Sequence, residues 1–472
     1  MRKSTILAAL GVFIILVGAT YGLNRLLGQD SDESDSSLEV TVYNSNLGVV
    51  KDEIEVPLIK GTSVFSFEGV ASAIDPTSVK LRSLDGTFQV LEQNYQYDLV
   101  SKEKILQKYI DEKIKGYSVV GDAKELVEGT LLSSSGNELV IRKDSGEIQI
   151  VRLDDLVLPA LPEGLITKPT LEWLIESQDR GNKTAELSYM TSGMMWNADY
   201  ILVSNEDDTK MDFNGWVTVT NNAGTTFKNA ALKLVAGDIN RAYAPSVARY
   251  DLMVEESKTV GAQFAEETLF EYHMYDLQRR TTLRDREQKQ ISLLEAKDAG
   301  IEKEYIYENG YSYWGWWRGQ DNNKKVQVKL NFDNSEENGL GIPLPKGRIR
   351  VFKRDSEGKL QFVGEDSIDH TPKDETLRIL VGNAFDIVGE RKTLDVEDLG
   401  CKYDVTWEIT LRNHKDEDVT VTVLEHTGNW DWDITKENYK HTKESNTDIK
   451  WTIPVKKDEE SKLQYTVRYN NC

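Results

Sequence analysis

The densest cluster of chemistry-bearing side chains runs from Glu365 to Glu375, as Glu365-Asp366-Ser-Ile-Asp369-His370-Thr-Pro-Lys-Asp374-Glu375. Carboxylates and an imidazole are ligands for a cation, so Glu365, Asp366, Asp369 and His370 form the candidate metal set. Carboxylates this close also suit acid–base chemistry, although nothing in the sequence sets a substrate between them. A plainer reading competes: Asp366, Asp369 and Thr371 accept backbone N–H groups in a turn ending at Pro372. Spacing alone is weak evidence for a ligand set, and the turn reading takes precedence.

A second cluster is aromatic. Tyr305, Tyr307, Tyr311, Tyr313, Trp314, Trp316 and Trp317 are broken by Gly310 and Gly315 and closed by Arg318. Exposed rings beside an arginine mark a binding site, because ring faces stack on sugars or on protein partners. The candidate binding residues are Tyr311, Tyr313, Trp314, Trp316, Trp317 and Arg318. Core packing is the general expectation for such residues and stands as the alternative.

No other motif supplies catalysis. Gly116-Tyr-Ser118-Val-Val-Gly121 misses the nucleophile-elbow spacing by one residue. None of the five histidines (His273, His370, His414, His426 and His441) pairs at a zinc-binding spacing. Asn334 to Gly339 imitates the start of a calcium loop, but Pro345 stands where a bidentate Glu is needed. The expectation is a protein without catalytic residues and without a cofactor.

The elements that must position these clusters are strands. Alternating apolar residues at Tyr200 and Leu202 and at Trp216, Val217 and Val219 are followed by Asn/Gly turns and by Leu232–Val235. That pattern is antiparallel sheet. Strand–Asn–strand units recur at Val217–Asn222, Val326–Asn334 and Thr406–Asn413, as in stacked sandwich domains, with Asn serving as a residue that tolerates left-handed turns. Ser101 caps a short helix carrying Ile105, Leu106, Tyr109 and Ile110. Five short strands between Lys113 and Leu158 predict a small barrel-like insert. Leu283–Lys297 has helical propensity, yet the strand reading is preferred for it.

Length and composition set the frame. A chain of 472 residues with 39% hydrophobic content, ten Trp and twenty Tyr holds two or three packed domains. The net charge of −22 argues against a nucleic-acid partner. Arg2 and Lys3 precede an uncharged run from Ser4 to Leu23. As a helix that run spans about 30 Å, the thickness of a bilayer core, and it reads as an uncleaved signal-anchor, with a cleaved signal peptide as the alternative. The acidic stretch 30–39 follows as a self-repelling tether. Only Cys401 and Cys472 are present; an oxidising compartment would allow one bridge between them, and two free thiols are the other reading.

The chain also resembles a known family. The stretches VYNSNLGVVKDEIEVPLIKG, LSYMTSGMMWNADY, GWVTVTNNAGTTFKNAALKLVAGDIN, GIPLPKGRIRVFKRD and VGNAFDIVGERK, among others from Val40 to about Val467, are similar to the bacterial and archaeal family called domain of unknown function 4139. The resemblance implies an exported, β-rich protein and supplies no catalytic residue. Some relatives carry a long coiled coil and the label of mucoidy inhibitor; this chain has only the short helix after Ser101, so the label is not carried across.

The expected architecture is mainly β: antiparallel sandwich domains, a small inserted barrel at 113–158 and one N-terminal transmembrane helix. Residues 1–29 are the anchor, 30–39 the linker, 40–186 an N-terminal β-rich domain, 187–390 a central sandwich and 391–472 an Ig-like sandwich. The expected role is a membrane-tethered binding or scaffolding module with a glycan or protein partner at the cell surface. Two other classes remain open, an enzyme acting on envelope polysaccharide through residues 365–375 and a structural subunit of a surface coat.

Overall fold

The computed structural model describes residues 37–470 apart from 121–122, 137, 153–154, 163, 238, 240–262, 270, 309–322 and 428–430. The run Ser4–Leu23, the six residues from Tyr311 to Arg318 singled out for binding, and Cys472 lie outside the described residues. Among the described residues no helix is long and apolar enough to cross a membrane.

Strands dominate, and their inward faces follow the period-2 alternation that a half-buried sheet imposes. Met194–Ser204 is the clearest case: Trp196, Ala198, Tyr200 and Leu202 are buried in turn, while Met195, Asn197, Asp199 and Ile201 point the other way. Burial of each large apolar side chain stabilises the fold by about 1.5–3 kcal/mol.

Two principal cores result. The first lies among three sheets. One runs Phe264–Leu269, Tyr272–Leu277, Phe227–Ala236, Glu39–Tyr43, Leu47–Leu58, Gly181–Thr191, Lys80–Ser83, with Thr281–Leu283 also pairing to Phe227–Ala236. The second, here the central sheet, has five strands in the order Glu287–Gly300, Lys210–Asn221, Met194–Ser204, Gly347–Arg354, Leu360–Ile368. The third is Gly61–Glu68, Thr170–Ser177, Phe88–Gln96. Strands before and after position 187 therefore share one core, which includes Val40, Val56, Leu187, Trp196 and Phe213.

The second core sits inside a nine-stranded sheet that folds over itself, gathering Tyr305, Tyr307 and Val326 with Trp407, Val421, Trp451 and Tyr465. One 23-residue strand, Thr376–Asp398, joins the two cores. Its Leu377 and Ile379 pack into the first core and its Ile387 into the second.

The insert corrects the barrel expectation. Its five strands, in the order Asp155–Val157, Lys113–Val120, Ala123–Ser135, Glu138–Arg142, Ile148–Val151, leave the two outer strands unpaired with each other, so the sheet is open. Those strands have three and four residues, too few to close a ring of tilted strands. A helix does the covering instead. Lys102–Lys108, capped by the Ser101 hydroxyl accepting from Lys104 N at 3.3 Å, brings Leu106 and Tyr109 onto Ile114, Val127, Leu131 and Ile141. The ambiguous stretch after Leu283 is the strand Glu287–Gly300, since pairing along Lys210–Asn221 outweighs its helical propensity.

The recurring Asn residues are real landmarks, with a different cause. Asn221, Asn334 and Asn413 are buried and sit at strand ends. None has a positive φ. Each amide instead ties off a turn: Asn413 Nδ2 donates to the carbonyls of Glu417, Val455 and Lys456, and its Oδ1 accepts from Lys415 N. Asn221 bonds Thr225, Leu283, Arg284 and Ala223 in the same way, and Asn334 bonds Ile342, Pro372 and Gly341.

Candidate functional site

The outer face of the central sheet is the face opposite the first core. Strand phase decides which side chains stand on it. With Phe213, Val217 and Val219 buried, Trp216 must point outward, and it is 38% exposed. Gly215 beneath it admits no side chain without crowding, because a Cβ there would come within 3.2 Å of the Tyr200 ring and 3.1 Å of Leu294. The neighbouring strand carries a bulge between the partners of Gly215 and Trp216, a device that re-aims side chains.

Register surrounds the indole with polar groups. Asp199 lies directly opposite Trp216, and Ser292 flanks it on the other side. Asn197 faces Thr218 and Ile201 faces Asn214, and Arg348 pairs with Asp199. Asp199 Oδ1 accepts from Arg348 and Arg350, each at 3.4 Å, and Oδ2 accepts from Thr218 Oγ1 at 3.4 Å. Gln290 Nε2 donates to Thr218 Oγ1 at 3.3 Å. Contacts near the outer limit of hydrogen bonding hold a carboxylate loosely and leave lone pairs open to another donor. Along the strands the face runs to Val203 and Asp212, which also line an open groove of about 410 Å³ with Glu206, Asp298 and Arg354.

The acidic segment has been divided among structural tasks. Glu365, on the strand Leu360–Ile368, lies 3.7 Å from Arg350 and so belongs to the edge of the Trp216 face. Asp366 accepts from Ser367 N and from Leu380 N, each at 2.8 Å, fastening the central sheet to the strand that joins the cores. At Asp369 it is the backbone carbonyl that accepts, from the Thr371 hydroxyl, and His370 Nδ1 accepts from Lys346 N at 3.2 Å. Among the described residues no three His, Cys, Asp or Glu side chains converge as metal ligands.

The base of the aromatic segment is held by charge. Glu308 ends the strand that leads into residues 309–322, and its Oε1 lies 3.1 Å from His426 Nε2. His426 Nδ1 meets Asp448 on the other side. Burial alone would lower the His426 imidazole, but hydrogen bonds and charge from Glu308 and Asp448 outweigh it and hold the group above its ordinary value. Deeper in the same core, the Arg391 guanidinium lies 3.4 Å over the Trp407 ring and pairs with Glu425 at 2.7 Å. Cys401 is disulfide-bonded; the chain's other cysteine is Cys472. The pairing of Lys402 with Asn470 brings position 401 beside Asn470.

The Trp216 face was within reach of the sequence. Trp216, Val217 and Val219 are all apolar, and two positions of one strand that differ by an odd number cannot share a face. Assigning Val217 and Val219 to the core leaves the indole outside. What the sequence lacks is the set of neighbours from Asp199, Gln290 and Arg348, which only the pairing supplies.

No curated protein matches the chain. The family model for domain of unknown function DUF4139 matches residues 185–471, which takes in the whole central sheet and the second core, and the chain belongs to that family.

Proposed function

We propose that this protein is an exported, membrane-tethered binding or scaffolding module of the cell surface, and that it holds its partner on the outer face of the central sheet. The observation that carries the reading is Trp216, a large ring left 38% exposed among loosely engaged polar side chains on the outer face of the central sheet. Exposed aromatic surface rimmed by polar groups is a mark of interaction sites. The uncharged run Ser4–Leu23 supports a membrane anchor and the acidic stretch after it a tether. A disulfide at Cys401 supports an oxidising compartment. A charge of −22 speaks against a nucleic-acid partner. On this reading the chain acts by holding and not by turnover, and the carboxylates of residues 365–375 serve the fold.

Two measurements test it. Protease added to intact cells should digest the full-length chain while a cytoplasmic marker survives; protection of the chain would refute export. Purified residues 37–472 should be retained by isolated cell envelopes, and Trp216→Ala should cut that retention by about tenfold or more, the effect of removing a hot-spot aromatic. Equal retention of the variant would remove the face from the account.

A further inference from the structure

The Trp216 face has the chemistry of a sugar platform. An indole offers a flat apolar surface for the C–H face of a pyranose ring. Around it stand side chains that bond hydroxyls in the ring plane: the Asp199 carboxylate, the Asn197 and Asn214 amides, the Thr218 hydroxyl and the Arg348 guanidinium. The Asp199 contacts, all at 3.4 Å, are long enough to be exchanged for sugar hydroxyls without leaving a buried group stranded.

Charge selects among sugars. Arg348 and Arg350 are balanced by Asp199 and Glu365. The adjoining groove sets Glu206, Asp212, Asp298 and Asp355 against Lys210 and Arg354, a surplus of two carboxylates. With the whole chain at −22, an anionic polymer would approach against the field. Trp216 lies four positions along the strand from Asp212, a span of about 13 Å at ~3.3 Å per residue. The track is therefore elongated, running from an aromatic platform into a groove of ligand-binding size.

We propose that this face binds a neutral polysaccharide, with one ring stacked on Trp216 and the chain directed toward Asp212. The inference rests on the binding reading above and names the ligand class for the same site.

Affinity electrophoresis of residues 37–472 in gels holding a soluble β-glucan, a galactomannan or polygalacturonate tests it. We expect retardation by at least one neutral polymer, unaffected by salt, and none by polygalacturonate. Trp216→Ala should weaken it about tenfold and Asp199→Asn severalfold, with melting temperatures close to that of the parent chain. Should Trp216→Ala fail to fold, Asn214→Ala and Arg348→Ala report on the same face. Retardation that survives all these changes overturns the site. Salt-sensitive binding to polygalacturonate alone overturns the neutral assignment. No retardation by any neutral polymer, with Trp216-dependent retention on envelopes intact, sinks the sugar assignment and leaves the binding face standing. Loss of both overturns the two together.

Discussion

At the scale of single residues, three buried amides tie off turns at the ends of strands. Asn221, Asn334 and Asn413 stand out as repeated turn markers, but left-handed geometry is not what they provide. Each is a buried amide satisfying backbone groups that no strand can reach, and burial of such groups without partners is costly. Asn413→Ala would strip donors from the carbonyls of Glu417, Val455 and Lys456. It should destabilise the fold by about 1–3 kcal/mol in urea unfolding; a loss below ~0.5 kcal/mol would mean that the turn holds without it. His426 is a residue whose importance the sequence does not reveal, because Glu308 and Asp448 lie far away along the chain and meet it only through strand pairing. Its value is raised in the folded state, so its contribution to stability is complete below the unfolded value of about 6.5 and is lost as pH rises through the folded one. His426→Gln should flatten that part of the stability–pH profile. A fall in parental stability of the same size after the substitution would show that other groups cause it.

Elements were legible where periodicity is strict and hidden where pairing decides. The helix after Ser101 announces itself through a cap and apolar spacing and lies at Lys102–Lys108. Five strands of the insert are likewise visible in the turn residues between them. Closure was not, because it depends on whether the short outer strands meet, and a helix covering one face makes closure unnecessary. The insert has its own core, and its stem is fixed by Val100 N donating to Ile166 O at 2.9 Å and Ile166 N to Asp98 O at 3.1 Å. Replacing residues 101–164 with about a dozen Gly/Ser residues, enough for the parallel bridge of Leu99 and Ile166, should leave a cooperative thermal transition. A broad, non-cooperative melt would show that the insert is part of the main fold.

Over the whole molecule, two cores share a continuous strand, Thr376–Asp398, and a nine-stranded sheet draws residues from both sides of it. Composition and alternation carry the β class. They do not reveal that Val40 and Trp196 lie in one core, because such pairings are set by strand order over long separations. Pairing over long separations also flanks the hairpin of Met194–Ser204 and Lys210–Asn221, which carries Trp216, with the strands Glu287–Gly300 and Gly347–Arg354. That assembly turns an alternating strand into a binding surface. It is best tested by hydroxyl-radical footprinting of the protein with and without isolated cell envelopes. We expect Trp216 and Met195, both exposed on the central sheet, to become protected while Tyr97 and Phe385, exposed away from that sheet, keep their reactivity. Unchanged reactivity at Trp216, with protection confined to other strands, would contradict the account.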